Sequence, residues 1–139
     1  MAESRLHKQL VQSIVSYIET IPDCCVDFIE ADLENYNTRT TRVVGNFYPD
    51  VFYKDTHSIY IGEAKTEQDL INQHTTNQLL SYVDEVKLFN GERHIILCVP
   101  FVAACTLYNY VNRIIEQHNI TKVCFHLITD TLKVEKLCL

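Results

Sequence analysis

Two carboxylates and a lysine lie close together in the sequence, within two neighbouring apolar runs. Asp50 follows a proline, and Glu63 is followed two positions later by Lys65. A pair of carboxylates can hold a hard divalent cation such as Mg²⁺. An ammonium beside them could orient or help deprotonate an attacking water, or neutralise charge that develops on a phosphate. These residue types and their spacing predict a metal-dependent phosphodiesterase site.

A β-hairpin is expected to position these three side chains. The two strand-like runs and the polar turn between them cover residues 42–53, 58–65 and 54–57. A tight turn at this place makes Asp50 face Ile61 and makes Glu63 its diagonal neighbour. Because side chains alternate along a strand, Asp50, Glu63 and Lys65 then share one face. Charges within apolar runs are costly unless they are paired or metal-bound, which favours a site over an ordinary polar pair on a solvent-facing hairpin.

The rest of the chain supplies helices and further strands. Apolar spacing predicts helices over residues 3–20, 69–89 and 102–119, and β-branched or continuous apolar runs predict strands over 24–31, 94–100 and 122–129. Together with the hairpin, this gives the order α-β-β-β-α-β-α-β and a mixed sheet. The pattern does not decide whether the tail, residues 131–139, is a strand or a helix.

Composition limits the class of protein. The 139 residues, 47% of them hydrophobic, fit a single domain over 1–139 with a sizeable core, and no membrane span or signal peptide is recognisable, so a cytoplasmic location is expected. The formal charge of −6 argues against coating a duplex by electrostatics alone. The six cysteines include no Cys-x-x-Cys pair, and Cys98 and Cys124 are expected to be reduced core residues.

The "YPD" ending at Asp50 and the "IGEAK" ending at Lys65, within this order of elements, resemble the PD-(D/E)xK nuclease superfamily. The resemblance implies a restriction-endonuclease-like fold with an α-β-β-β-α-β core, to which this chain adds a helix and a strand. It also implies that Asp50, Glu63 and the backbone carbonyl of Ala64 bind Mg²⁺ or Mn²⁺. Lys65 would be the catalytic lysine.

The helix after Lys65 carries a second element of the resemblance. His74, Gln78 and Tyr82 recur every four residues and form one stripe of that helix. Gln78 and Tyr82 resemble the Q-x-x-x-Y element of RecB-like and phage exonuclease members, which implies a role for this stripe in contacting substrate or the residues around it. These three residues could instead be boundary residues that hydrogen-bond to loops.

Superfamily members often add a glutamate of the first helix to the metal site. Glu3 matches that placement best and Glu19 is the other candidate, although each could be an ordinary solvated residue. The remaining histidines have no surrounding motif: His7 and His118 are expected on helix surfaces, and His94 and His126 in strands.

The sequence therefore predicts a divalent-metal-dependent nuclease that hydrolyses phosphodiester bonds, with DNA favoured over RNA as substrate. The resemblance implies products with a 5′-phosphate and a 3′-hydroxyl. An acidic nuclease of this size would need a homodimer or a partner protein to embrace a duplex. Two alternatives stay open: a catalytically silent member of the fold that binds protein or nucleic acid in a larger complex, and a structural α/β protein with a chance hairpin.

Overall fold

A computed structural model describes residues 4–34 and 42–139 of the chain. Within these residues the architecture is α/β, with a six-stranded mixed open sheet and four α-helices. The helices are α1 (Arg5–Glu19), α2 (Glu67–Leu70), α3 (Gln73–Lys87) and α4 (Ala104–His118). The strands are β1 (Glu30–Ala31), β2 (Val51–Lys54), β3 (Ser58–Ala64), β4 (Glu92–Val99), β5 (Cys124–Thr129) and β6 (Val134–Cys138).

The six strands lie side by side in chain order. Strands β3, β4 and β5 run parallel, and β1, β2 and β6 pair antiparallel with their neighbours, so the predicted mixed sheet is confirmed. Helix α3 lies between β3 and β4 in the chain, and α4 between β4 and β5, as parallel pairing requires. The tail forms the edge strand β6.

The register of the β2–β3 hairpin differs from the prediction by two residues. Phe52, and not Asp50, faces Ile61. The cause is the turn, where the Asp55 carboxylate accepts hydrogen bonds from the backbone N–H groups of the two residues that close it, His57 and Ser58. A shift of two keeps every side chain on its predicted face. One step beyond the last pair of β2, Asp50 therefore lies opposite Glu63 rather than diagonal to it.

Three predicted elements are shorter than expected. Of the run 24–31 only Glu30–Ala31 is a strand, preceded by a 3₁₀ turn at Val26–Phe28, and the segment before Asp50 forms a turn in which Gly45 has φ of 62°. The predicted long helix is interrupted between α2 and α3. There Asn72 adopts an extended conformation, and its side chain accepts a hydrogen bond from the N–H of Thr75. Asn72 is therefore the N-cap of a new helix, α3.

The sheet is covered on both faces. Helix α1 packs on one face, where its buried residues meet the odd-numbered side chains of β2 and the even-numbered ones of β3, β4 and β5. Helices α3 and α4 pack on the other face, which carries Glu63 and Lys65 as well as apolar residues. In the described ranges 4–34 and 42–139, no helix has both the length and the apolar character needed to cross a membrane.

Gly62 allows α1 to lie close to the sheet. A Cβ atom at this position would come within 2.8 Å of Ile14 Cγ2 and 3.2 Å of Val51 Cβ. Ile14 and Val51 are both fully buried, so neither can move aside freely. The glycine between Ile61 and Glu63 therefore fixes how closely the helix approaches the strand that carries the glutamate.

Candidate active site

Asp50 and Glu63 form a buried pair of carboxylates at the carboxyl end of β3. Each residue exposes only 6% of its surface. One oxygen of Asp50, Oδ2, accepts a hydrogen bond of 2.9 Å from the backbone N–H of Ala64. This bond ties the end of β2 to the end of β3, so the hairpin itself sets the position of the aspartate. Two like charges are thereby brought together away from water, which is an unfavourable arrangement unless something compensates it.

Glu63 is held by Tyr82, whose hydroxyl donates a hydrogen bond of 2.6 Å to Glu63 Oε1. Burial raises the pKa of the Glu63 carboxyl well above its usual range, and the neighbouring Asp50 carboxylate raises it further. The Tyr82 hydrogen bond and the Lys65 ammonium act in the opposite direction. Burial and the adjacent Glu63 carboxylate also raise the pKa of Tyr82, so the phenol stays protonated and remains a donor.

The side chain of Lys65 extends toward the Glu63 carboxylate. Its Nζ lies 4.0 Å from Glu63 Oε2, and its side chain is only 13% exposed. The backbone N–H of Lys65 donates to the carbonyl of Cys98 on β4, which continues the strand pairing one residue past β3. The lysine therefore projects from a fixed backbone position, and the face shared by Asp50, Glu63 and Lys65 agrees with the sequence prediction.

His7 is a member of the site that sequence reasoning placed on a helix surface. Its Nε2 lies 3.3 Å from Asp50 Oδ2, and the imidazole is about one-fifth exposed. Ser4 caps α1 by accepting a hydrogen bond from the N–H of His7, which fixes the first turn of the helix beside the carboxylates. The helical period could have indicated His7 from the sequence. His7 lies one helical turn after Glu3, which was the residue of the first helix favoured as a metal ligand.

Gln78 lies on the side of the carboxylates that faces the protein interior. It is 8% exposed, and its Oε1 is buried without a hydrogen-bond partner. Gln78 lines a small cavity of about 10 Å³ together with Glu63, Lys65 and Tyr82. A cavity of this volume is about the size that one water needs. Gln78 and Tyr82 thus contact the site from the protein interior.

A wider, open cavity of about 160 Å³ leads from Glu63 to solvent. His74 is exposed at this cavity and stacks edge-on against Phe47, with ring centroids 5.4 Å apart. Lys65 and Ala64 also line the cavity. The stripe predicted on α3 is therefore divided: His74 is near solvent, whereas Gln78 and Tyr82 are in the interior.

The structure brings Asp50, Glu63, Ala64 and Lys65 together as expected. Glu3 lies outside the described residues. Glu19 is the last residue of α1, twelve positions after His7, which corresponds to about 18 Å along the helix axis. The first helix therefore contributes His7 to the site, and Glu19 is at the far end.

The donor set fits a hard divalent cation. Asp50 and Glu63 together offer carboxylate oxygens, the ligands that Mg²⁺ and Mn²⁺ prefer, and Glu63 lines a cavity that is open to water. A divalent charge there would offset the repulsion between the two carboxylates. Gln78, whose Oε1 is buried without a hydrogen-bond partner, lines a small cavity together with Glu63.

Comparison with models of known protein families, with curated proteins and with solved structures finds no match for this chain.

Proposed function

We propose that the protein is a divalent-metal-dependent nuclease of restriction-endonuclease-like fold, with Asp50 and Glu63 as metal ligands and Lys65 as the catalytic lysine. DNA is the favoured substrate. The observation that carries the proposal is the burial of two adjacent carboxylates, each 6% exposed, with a lysine Nζ 4.0 Å from one of them. Burying such a pair lowers the stability of the fold, and destabilising arrangements of this kind are typical of catalytic sites.

Each side chain has a role that follows from its contacts. Ala64 N–H and His7 hold the Asp50 carboxylate, and Tyr82 holds that of Glu63, so both ligands are oriented before a cation arrives. A bound Mg²⁺ or Mn²⁺ would polarise the scissile phosphate and favour ionisation of a water. Lys65, beside Glu63, would orient the attacking water or neutralise negative charge on the phosphate.

His74 and the open cavity of about 160 Å³ indicate where substrate would approach. His74 is exposed and stands on the same side of the site as Lys65. We assign it to substrate contact, and Gln78 and Tyr82 to positioning, because both of these are buried. This refines the sequence expectation, which gave all three residues one role.

A silent binding module is the second candidate, and a specific feature favours it. The pKa of Glu63 is raised, so the Asp50–Glu63 pair can hold a proton in place of a metal and remain stable without catalysis. The chain is also acidic, with a formal charge of −6. In that case the pair would be a structural element, and the module would bind its partner without hydrolysis.

Cleavage assays distinguish the two candidates. Labelled single-stranded, double-stranded and branched DNA, with RNA alongside, would be incubated with the chain in Mg²⁺, Mn²⁺ or EDTA. We expect products only with metal, and a loss of roughly 100-fold or more in Asp50→Ala and Lys65→Met. Lys87→Met, which removes an exposed lysine at the end of α3, is the matched control and should cleave like the wild type.

Absence of products from the folded wild type with either metal would reject the nuclease and favour the silent module. Cleavage that persists in Lys65→Met at the wild-type rate would reject the role of this lysine. Circular dichroism of each variant would confirm that the loss of activity is not a loss of fold.

A further inference from the structure

A second cluster of ligand-type side chains lies on the opposite face of the sheet, beneath the C-terminal half of α1. Strand pairing places Tyr60, His94, Cys124 and Cys138 in one straight row across β3, β4, β5 and β6. His126 lies two residues after Cys124 on the same face of β5. A nitrogen of each histidine and the sulfur of Cys124 all lie within 4.8 Å of one another.

The spacing suits a tetrahedral metal ion. Bond lengths of about 2.0 Å to nitrogen and 2.3 Å to sulfur put the ligand atoms of a tetrahedral zinc site roughly 3.3 to 3.8 Å apart. His94 Nδ1 and His126 Nε2 are 2.8 Å apart and hydrogen-bonded, so they would need to separate by about half an ångström. Two imidazoles and thiolate sulfur form a donor set that Zn²⁺ accepts and Mg²⁺ does not.

Each histidine already has a partner on its other ring nitrogen. His94 Nε2 is 3.1 Å from a carboxylate oxygen of Glu92, and His126 Nδ1 is 2.6 Å from the Tyr17 hydroxyl. Zinc-binding histidines usually donate their second N–H to such a carboxylate or oxygen, which fixes the tautomer and the ring orientation. The His94 ring also stacks on Tyr60, with centroids 4.2 Å apart and planes within 6°.

The imidazoles are neutral at physiological pH, as metal ligands must be. Burial lowers the pKa of His94, and burial together with the neighbouring His94 lowers the pKa of His126 to about 3. The Lys136 ammonium lowers both pKa values further, and the positive charge of this exposed lysine disfavours a metal. Thiolate ligands would compensate its charge.

The sulfur atoms of Cys124 and Cys138 can bind a metal only when these two cysteines are reduced. Cys124 and Cys138 are directly paired on β5 and β6 and are joined by a disulfide, contrary to the expectation that Cys124 is a reduced core residue. Sequence spacing could not reveal this pair, because the two cysteines are brought together by the antiparallel pairing of the tail. A disulfide sulfur is not a thiolate, so the metal site and the disulfide exclude each other.

We propose that His94, His126 and Cys124 form a zinc site in the reduced protein, to which Cys138, the strand partner of Cys124, adds the fourth ligand once the disulfide is open. The Cys124–Cys138 disulfide replaces this site on oxidation. An external dithiol supplies two electrons: it becomes a disulfide, and Cys124 and Cys138 take up two protons as thiols. Zn²⁺ then binds the two sulfurs as thiolates and releases those protons. Because Cys138 belongs to the last strand, zinc and disulfide are alternative ways to anchor the edge of the sheet.

Cobalt spectroscopy tests the site directly. The chain would be reduced with a dithiol, freed of it by gel filtration without oxygen, and titrated with Co²⁺ and then Zn²⁺. We expect the visible bands of a tetrahedral Co²⁺ complex and a thiolate-to-cobalt charge-transfer band, which reach their full intensity with one equivalent at this site and are lost when Zn²⁺ is added. The oxidised chain should give neither band.

Variants assign the ligands. Cys124→Ser and His94→Gln should weaken Zn²⁺ binding by roughly 100-fold or more, and Cys138→Ser should reduce the charge-transfer band by about half. Cys105→Ser, at an exposed cysteine of α4, and Asp50→Ala, in the carboxylate site, should bind like the wild type. Asp50→Ala also separates this proposal from the nuclease, since it abolishes cleavage and leaves the zinc site intact.

Three results would overturn the proposal: a reduced wild type without a charge-transfer band, the same tetrahedral Co²⁺ bands in the oxidised and reduced chains, or a band that Cys105→Ser removes. His94 is partly exposed, so His94→Gln should fold. Circular dichroism of the reduced variants would verify this.

Discussion

The two ends of the sheet carry two different kinds of ligand. At the carboxyl end of β3, on the face covered by α3, the donors are the hard oxygens of Asp50 and Glu63. At the amino ends of β4 and β5, on the face covered by α1, the donors are the imidazoles of His94 and His126 and the sulfur of Cys124. The hardness of the ligands therefore predicts that the carboxylate site prefers Mg²⁺ or Mn²⁺ and that the histidine–cysteine site prefers Zn²⁺.

Helix α1 reaches both sites. His7 in its first turn contacts Asp50, and Tyr17 in its last turn contacts His126. Ten residues separate the two, about 15 Å along the helix. The comparison shows that one packed element, which lies against Gly62, positions a side chain at each of two chemically unlike sites.

Replacement of Gly62 by alanine should disturb both sites at once. The added methyl group would press on Ile14 and Val51, and overpacking of this kind costs about 1 to 3 kcal/mol. We expect lower stability in urea denaturation together with weaker Mn²⁺ and Co²⁺ binding. The double variant Gly62→Ala/Ile14→Ala should lose less than the two single variants combined, because the clash is removed. Full additivity would contradict the role of α1 packing.

Removal of the Tyr82 hydroxyl should affect only the carboxylate site. Tyr82→Phe keeps the buried ring but deletes the hydrogen bond to Glu63 Oε1, which helps to keep this carboxylate ionised and oriented. We expect cleavage to fall roughly 10-fold and its pH profile to move to higher pH, with unchanged Co²⁺ binding by the reduced chain. Tyr108→Phe, at an exposed tyrosine of α4, is the control. An unaltered pH profile would assign Tyr82 to packing alone.

Neutralisation of Glu63 should stabilise the metal-free protein while it abolishes cleavage. Folding raises the pKa of this carboxyl, so above the ordinary glutamate value of about 4.3 the folded state binds more protons than the unfolded state. The unfolding free energy of the wild type therefore falls as pH rises through this window. Glu63→Gln should lack that slope and gain about 0.5 to 2 kcal/mol at neutral pH in EDTA. A less stable variant would contradict the stated cost of the buried pair.

Part of this account could be predicted from the sequence. The strand and helix order, the mixed sheet and the common face of Asp50, Glu63 and Lys65 all follow from periodicity, because a register error of two residues preserves the faces. The directly opposed position of Asp50 and Glu63 could not be predicted, since it depends on how the Asp55 carboxylate closes the turn.

Long-range pairing explains the other omissions. His7 reaches Asp50 only because α1 crosses the sheet, and Cys124 meets Cys138 only because the tail adds an antiparallel edge strand. The Cys124–Cys138 contact leaves no local pattern in the sequence, and the signal for His7 is limited to its position one helical turn after Glu3. A motif search therefore detects the carboxylate site, whose ligands lie on one hairpin, and misses the histidine–cysteine cluster, whose members lie on three strands.

Calorimetric titration with Mn²⁺ tests most directly whether the Asp50–Glu63 pair is a metal site. We predict that the wild type binds Mn²⁺ in both the oxidised and the reduced state, and that Asp50→Asn, which keeps the shape of the side chain, binds at least about 10-fold more weakly. No binding by the folded wild type, or equal binding by Asp50→Asn, would contradict the account and leave the buried carboxylates as a proton-sharing structural pair.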